Sequence, residues 1–317
     1  IDLFAGRSDV LFASHHWPRW GSGEAARFLK LQRDLYKFIH DQTLRMANHG
    51  LTPLEIAERL ELPPTLAAEW HTRGYYGTLS HNAKAVYQRY LGWFDGNPAN
   101  LHRLPPEEAG RRYVEVAGGP EALLAKARAA FERGEYRWVA ELVNHLVFAE
   151  PGNAEARALQ ADALEQMGYQ AESGPWRAFY LTGALELRNP RAASEAPRQG
   201  AAGQLRALPA DALLESFSVR LNGETAGAAS LALTLAFTDT GERFALRVEN
   251  AVLHHAAGEG GPAVALTRPV LIGLVIGETT LEKALADGTV AGEGAAALGE
   301  LLPLLDRFDF WFEIVAP

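Results

Sequence analysis

Residues 24–48 read EAARFLKLQRDLYKFIHDQTLRMAN and set the character of the first part of the chain. Large apolar side chains recur there near helical spacing, which predicts one long amphipathic helix ending at Asn48-His49-Gly50. The predicted apolar stripe consists of Phe28, Leu31, Leu35, Phe38, Ile39 and Thr43. Because this stripe exceeds what one small bundle needs to cover, we expect the chain to form a homodimer.

The periodicity remains helical as far as Arg188, which predicts an all-α domain. Thr52, followed by Pro53 and Glu55, has the pattern of a capping box that starts a new helix. Ser80 is the predicted N-cap of the next helix, HNAKAVYQRYLGWF. Residues 120–187 divide into short helices with alanines on one face, and these resemble tetratricopeptide helix pairs.

Residues 189–203 are rich in Pro, Gly, Ala and Ser, which predicts a linker. The period of the sequence changes after it. Residues 231–255 alternate with period two around a turn at 238–241, which predicts a β-hairpin. We expect further strands at 263–276 and in the alternating end, 307–317, with helices at 280–285 and 295–305. Residues 204–317 are therefore predicted to form an α+β domain.

The first twenty residues differ in pattern from the helical stretch after them. Asp9 to Ser14 predicts a buried strand that runs directly into His15 and His16. A fragment of this kind cannot form a sheet without partner strands, and the sequence offers none nearby. We therefore expect the chain to be the later part of a longer protein.

Composition excludes several classes of function. Apolar residues make up 48% of the chain, charged residues 22%, and the net charge of −9 comes with no Lys/Arg block, so nucleic-acid binding is not expected. The absence of cysteine excludes disulfides, thiolate metal sites and cysteine nucleophiles but does not identify the compartment. The apolar run at 269–276 is too short to cross a bilayer, and 295–305 is interrupted, so no transmembrane helix is predicted.

Two stretches carry candidate chemistry. The histidines show no HxH, HxxxH or HExxH spacing, but the pair His15-His16 follows a predicted strand, where imidazole suits zinc. Residues 73–98, RGYYGTLSHNAKAVYQRYLGWFDGNP, combine tyrosines and arginines that suit sulfate or phosphate oxygens. The alternatives are a polar strand end for the histidines and core packing for the aromatic residues.

The segments LFASHHWPRWG, RDLYKFIHDQTLRMANHGLTPLEIAE, RGYYGTLSHNAKAVYQRYLGWFDGNPANL and the final FEIVAP resemble the linear primary alkylsulfatases of the metallo-β-lactamase superfamily. The resemblance implies a multidomain chain: residues 1–20 as the end of a lactamase-like domain, 21–188 as a helical dimerisation domain, 189–203 as a linker, and 204–317 as a sterol-carrier-like domain.

The resemblance also implies the chemistry. The family hydrolyses alkyl sulfate esters such as dodecyl sulfate at a two-zinc centre, and its HxHxDH motif is not in this chain. The one metal ligand carried over is His15, with His16 as the alternative. The sulfate-contacting tyrosine is Tyr87, with Tyr90 as the alternative, and the C-terminal domain is expected to bind the alkyl chain.

A second hypothesis treats the chain as a non-catalytic dimeric scaffold that binds lipid without a metal domain. The segment SHHWPRWG, which has no obvious use in a scaffold, favours the enzyme.

Overall fold

The computed structural model describes residue 1, residues 3–190, 198–308 and 312–317. The chain forms two compact units, one of Ile1–Pro190 together with Glu313–Pro317 and the other of Arg191–Phe312. In the described part of the chain, no helix is both long and apolar enough to span a membrane.

The first unit is helical apart from a short ladder near its start. Its elements are β1 (Val10–Leu11), β2 (Arg19–Trp20), α1 (Ser22–Asn48), α2 (Pro53–Arg59), α3 (Pro64–Ala67), a 3-10 turn (Trp70–Thr72), α4 (Leu79–Leu91), a second 3-10 turn (Pro98–Asn100), α5 (Pro106–Ala117), α6 (Pro120–Glu132), α7 (Tyr136–Ala149), α8 (Ala154–Gln170) and α9 (Gly174–Arg188).

The N-terminal ladder corrects the expectation of a buried strand. β1 pairs with β2 in antiparallel register, and each strand has only two residues. Val10 is 47% exposed and Phe12 is 76% exposed. A two-residue ladder has no second layer to cover its apolar side chains, so the prediction of burial from Asp9 to Ser14 is wrong.

Two apolar cores support the first unit. The smaller core lies between α1, α2 and α4 and contains Ile39, Ile56, Leu60, Ala83 and Tyr87. The larger core joins α5 to α9 and also takes in Val315 and Ala316 from the end of the chain. The C-terminal residues 313–317, predicted to belong to the α+β domain, therefore pack with the helical unit.

Local capping explains where the helices of the smaller core begin. Thr52 and Glu55 form the predicted capping box. The predicted N-cap Ser80 is wrong, because α4 already begins at Leu79. Thr78, in an extended conformation, is the N-cap and accepts a 2.9 Å hydrogen bond from the His81 backbone N–H.

The second unit combines helices with a five-stranded sheet. Its elements are α10 (Arg198–Ala207), α11 (Ala210–Arg220), α12 (Gly223–Ala226), β3 (Leu231–Phe237), β4 (Arg243–Glu249), β5 (Val252–Ala257), β6 (Ala263–Leu266), α13 (Arg268–Ile276), α14 (Leu281–Ala286), β7 (Val290–Ala291), α15 (Ala295–Leu301) and a 3-10 turn (Leu302–Leu304).

The strand order is β5-β4-β3-β6-β7, with β3 antiparallel to β4 and parallel to β6. The hairpin predicted around residues 238–241 is confirmed, and Gly241 takes the positive φ of 76° in its turn. α10 begins at Arg198, inside the predicted linker, and residues 191–197 lie outside the described residues. Of the predicted terminal strand at 307–317, residues 309–311 also lie outside the described residues, and the prediction is wrong for the others, which are in no strand.

The predicted strand over residues 263–276 is only partly right. β6 ends at Leu266, and Thr267 then caps α13 with Pro269 in its first turn. The side chains of α13 are buried almost all round, so the sequence shows no amphipathic period. A short apolar run of this kind does not distinguish a buried helix from a strand.

Gly110 marks the closest approach between α5 and α7, because a Cβ there would lie 2.4 Å from the backbone oxygen of His145. We predict that Gly110→Ala lowers the free energy of unfolding by about 1–3 kcal/mol through overpacking. The matched control is Gly23→Ala in α1, where a Cβ meets nothing within 4 Å. It should be neutral or stabilising, by up to about 1 kcal/mol. Urea unfolding of both variants tests this, and equal effects would contradict the close packing.

Candidate functional site

A cavity of about 790 Å³ lies in the first unit, between α1, the N-terminal ladder region, the loop 73–78 and the start of α9. Its lining combines polar and apolar side chains. The polar groups are chiefly those of Ser14, His15, His16, Arg73, Tyr75, Tyr76, Asn82, Glu172 and Ser173, and the apolar side chains include Phe28, Leu35, Ile39, Leu62, Ala67 and Leu79.

The loop 73–78 is fixed to the start of α9. The Ser173 hydroxyl donates to the Tyr76 carbonyl oxygen at 2.5 Å, and the Gly174 backbone N–H donates to the Tyr75 carbonyl at 2.8 Å. Arg73 and Glu172 form an ion pair at 2.5 Å. These contacts hold the backbone of the loop while the Tyr76 side chain remains 79% exposed.

Ser173 has two roles at once. It is the N-cap of α9, where its Oγ accepts from the Trp176 N–H at 3.3 Å, and it is only 1% exposed. Gly77, at the other end of the loop, lies against the Asn82 side chain, because a Cβ at Gly77 would be 2.7 Å from the Asn82 side-chain oxygen. Asn82 also lines the cavity.

Two aromatic rings contact His16. His16 has the positive φ of 70° and makes an edge contact with Trp70 at 5.1 Å between ring centroids and a tilted contact with Tyr75 at 6.2 Å. The Arg19 guanidinium lies over the Trp70 ring at 4.9 Å. His15 also lines the cavity, and within the described residues it makes no hydrogen bond or ring contact.

His71 is a buried histidine in the wall, with a side chain that is 1% exposed. The Gln32 side-chain nitrogen donates to the His71 carbonyl at 2.7 Å and lies 2.9 Å from its Nδ1. Because the carbonyl identifies that nitrogen as the donor, Nδ1 accepts and the proton of the neutral ring is on Nε2. Burial lowers the pKa of the His71 imidazole, so the neutral form is favoured.

The carboxylate of Glu69 lies next to His71, with 3.6 Å between Glu69 Oε2 and His71 Nε2. Arg27 donates to both oxygens of Glu69, at 2.7 and 3.2 Å, and these hydrogen bonds lower the pKa of the carboxyl group. The Glu69 charge is therefore already compensated by Arg27 and does not require a protonated His71.

The structure brings some of the predicted site residues together and not others. His15 and His16 both line the cavity, beside Arg73 and two tyrosines from the stretch 73–98. Tyr87 lies in the core between α1, α2 and α4, and is 7% exposed. Tyr90 is 57% exposed, and its hydroxyl lies 2.9 Å from His40 Nε2. Neither is among the residues that line the cavity, and the role of Tyr87 in contacting substrate remains a prediction.

Sequence reasoning did not single out Tyr75, Tyr76, Asn82 or the Gln32–His71 pair. Tyr75 and Tyr76 were detectable in principle, because the glycines in RGYYG indicate a loop rather than a helix. The described residues contain no group of three or more His, Asp or Glu placed to hold a metal ion. They do not form a zinc site by themselves, although His15 or His16 could supply one ligand to it.

Comparisons with known proteins identify the family of the chain. Residues 52–190 match the family model described as alkyl sulfatase dimerisation, and residues 198–317 match the model described as alkyl sulfatase C-terminal. The chain belongs to the alkylsulfatase family. The dimerisation model starts at Thr52, the N-cap of α2, so α1 and the histidine pair precede both matched regions.

Individual alkylsulfatases match over nearly all of the chain. It is 47% identical to a linear primary-alkylsulfatase of Pseudomonas sp., covering 100% of this chain and 48% of the relative. It is 46% identical to an alkyl/aryl-sulfatase of Saccharomyces cerevisiae, covering 99% of this chain and 49% of the relative. The solved structure of a stereoselective inverting sec-alkylsulfatase from Pseudomonas sp. matches with a TM-score of 0.92 at 43% identity. The match covers 100% of this chain and 50% of that protein. The chain thus spans about half the length of these relatives.

Burial of neutral His71 gives a testable pH dependence. Burial lowers the pKa of folded His71 below the value of 6.5 that an unfolded histidine has. As the pH falls below 6.5, the unfolded state therefore binds a proton more readily than the folded state, and unfolding is favoured. We predict that His71→Asn, which keeps an acceptor for Gln32, loses less unfolding free energy than the wild type between about pH 7.5 and pH 5.5. Urea unfolding followed by tryptophan fluorescence measures this. The same pH dependence in both proteins would contradict the assignment.

Proposed function

We propose that this chain forms part of an enzyme that hydrolyses alkyl sulfate esters and that the cavity of the helical unit receives the ester. The observation that carries the proposal is the polar wall, in which Arg73, Tyr75, Tyr76 and Asn82 lie beside the histidine pair. Arginine and hydroxyl donors suit the oxygens of a sulfate ester. The relatives with enzyme names favour this function over a non-catalytic lipid-binding scaffold.

Arg73 is available to an anionic ligand in spite of its ion pair. The contact to Glu172 uses one terminal nitrogen, Nη2, and both side chains are substantially exposed, at 57% and 41%. An exposed ion pair contributes little free energy. A guanidinium has five N–H donors, so Arg73 retains donors for an ester oxygen while Glu172 keeps it in the wall.

Hydrolysis adds one water across the ester and yields an alcohol and hydrogen sulfate. In this proposal the residues of the chain bind and orient the ester, with Tyr75, Tyr76 and Asn82 supplying neutral donors. The two-zinc centre expected from the family needs more ligands than the described residues supply. Among these residues, only His15, or alternatively His16, is proposed to bind zinc.

We also propose the finer architecture that the resemblance implies. Residues 1–20 are the end of a lactamase-like domain, which is supported by relatives about twice as long as this chain. The helices α6 to α9 form tetratricopeptide-like pairs, which is supported by their alanine-rich contacts in the larger core. The fold of the second unit is proposed to be sterol-carrier-like.

A chimera tests the activity. The part of the Pseudomonas sp. linear primary-alkylsulfatase that this chain does not match is joined to the chain, and octyl sulfate hydrolysis and zinc content are measured. We predict that the chimera binds zinc and turns over, whereas the chain alone does neither, because one or two histidines cannot hold two ions. Stoichiometric zinc with turnover in the chain alone, or a folded, zinc-loaded chimera without turnover, would contradict the proposal.

Variants of the chimera assign the residues. Arg73→Ala should reduce kcat/KM about ten- to a hundredfold with zinc retained, because a hydrogen bond to a charged group contributes about 1.5–3 kcal/mol. Arg89→Ala, at an exposed arginine of α4 outside the cavity, is the control.

His15→Ala should instead lower the zinc occupancy of the chimera. Loss of turnover in Tyr87→Phe or Tyr90→Phe would support the sulfate-contacting tyrosine that the family resemblance implies. Loss of turnover only in Tyr76→Phe would assign sulfate contact to Tyr76 in the cavity.

The helical unit is proposed to form a homodimer. The matched dimerisation model covers α2 to α9, and exposed apolar side chains are frequent there; they include Trp93, Leu101, Leu104, Tyr113 and Val116. Val116 in α5 is 85% exposed, which is costly for an apolar surface without a partner.

Light scattering at micromolar concentration should give twice the chain mass of 34.5 kDa. Val116→Lys should shift the protein toward monomer, because it introduces a charge into the proposed interface. Val219→Lys in α11, at a helix valine of the second unit that is 71% exposed, should not. A wild-type monomer, or an equal effect of the two substitutions, would contradict a dimer formed by the helical unit.

A further inference from the structure

We propose that the alkyl tail of the ester lies in the helical unit, along the side of α1 that faces the cavity. The inference rests on the proposed function and adds the residues that determine the accepted chain length. The residues of α1 that line the cavity are Phe28, Gln32, Leu35, Tyr36 and Ile39. Their spacing places them on one side of the helix over three turns, a length of about 16 Å. A medium-length alkyl chain fits a surface of this length.

This side of α1 is effectively apolar. The amide nitrogen of Gln32 is occupied by two hydrogen bonds to His71, at 2.7 and 2.9 Å. Leu62 and Leu79 line the same cavity from other segments and extend the apolar surface. No charged side chain lies among the α1 residues that line the cavity. An alkyl chain here would replace water against the hydrocarbon of Phe28, Leu35 and Ile39.

The polar groups of the same cavity come from other segments. His15 and His16 come from the N-terminal region, Arg73 and the two tyrosines from the loop 73–78, and Asn82 from α4. An alkyl sulfate has a charged head joined directly to an apolar tail. A cavity that combines hydrogen-bond donors from these segments with apolar side chains of α1 provides contacts for both parts of that ligand. The geometry therefore places tail and head in the same unit.

The second unit uses its apolar residues for a different purpose. Four leucines near the end of this unit are part of its core: Leu301 and Leu305 are buried, and Leu302 and Leu304 pack against the core. Residues 271–275 of α13 are buried in the same core. Phe308 and Phe312 are exposed, and Phe310 lies outside the described residues. These leucines therefore contribute to the core of the second unit.

Leu35 and Leu31 provide a matched pair of positions for the test. Both are half-buried residues of α1, four positions apart, but only Leu35 lines the cavity. Leu35→Phe should fill the part of the cavity beside α1 that is proposed to hold the alkyl tail. Leu31→Phe makes the same substitution outside the cavity. Tyr36→Gln provides a second probe, because Tyr36 is 64% exposed and its replacement leaves the core intact.

The experiment is calorimetry of the 317-residue chain with ethyl, butyl, hexyl and octyl sulfate, each below its micelle concentration. For the wild type and Leu31→Phe, affinity should rise by up to about fourfold per methylene, the value for a fully buried methylene. In Leu35→Phe the rise should stop at shorter chains, and in Tyr36→Gln it should be shallower.

Equal chain-length dependence in all four proteins, or none in the wild type, would overturn the assignment of the tail to α1. Failure of the proposed function is observed separately, in the chimera's turnover. A chimera without turnover does not change the slope of affinity against chain length in the isolated chain.

Discussion

The Ser173 hydroxyl donates a 2.5 Å hydrogen bond to the Tyr76 carbonyl and so joins two segments 97 residues apart in sequence. With the adjacent bond from the Gly174 N–H to the Tyr75 carbonyl, it satisfies two loop carbonyls with groups at the start of α9. The same serine caps α9. The polar wall of the cavity thus depends on a helix cap, because the segment from Arg73 to Tyr76 has no regular secondary structure to hold it. A buried serine with both donor and acceptor satisfied resists rearrangement.

Short-range signals in the sequence predicted most of the helical fold. The capping box at Thr52, the long amphipathic α1 and the hairpin around Gly241 each depend on residues close together in the chain. The failures share a physical origin. α13 is buried on nearly all sides, so its sequence lacks the alternation of apolar and polar residues that marks an amphipathic helix. The strand before His15 contains apolar residues but has too few partner strands to bury them. Burial depends on the surroundings of a segment, and local sequence does not specify these.

The candidate site was predictable only in outline. The histidine pair and the stretch 73–98 were identified from residue type, and both contribute to the cavity. Residue type alone did not distinguish a helical position such as Tyr87 from a loop position such as Tyr76, because the two differ in burial rather than in chemistry. The Gln32–His71 and Ser173–Tyr76 contacts join residues 39 and 97 positions apart, and no spacing rule predicts them.

The central claim is that one cavity in the helical unit binds both ends of an alkyl sulfate. A crystal structure of the chain with octyl sulfonate, in which a stable C–S bond replaces the ester, tests it most directly. The account predicts the sulfonate oxygens within hydrogen-bond distance of Arg73, Tyr75 or Tyr76 and the octyl chain against Leu35 on α1. A sulfonate bound only in the second unit, or in the cavity with its chain directed away from α1, would contradict the account.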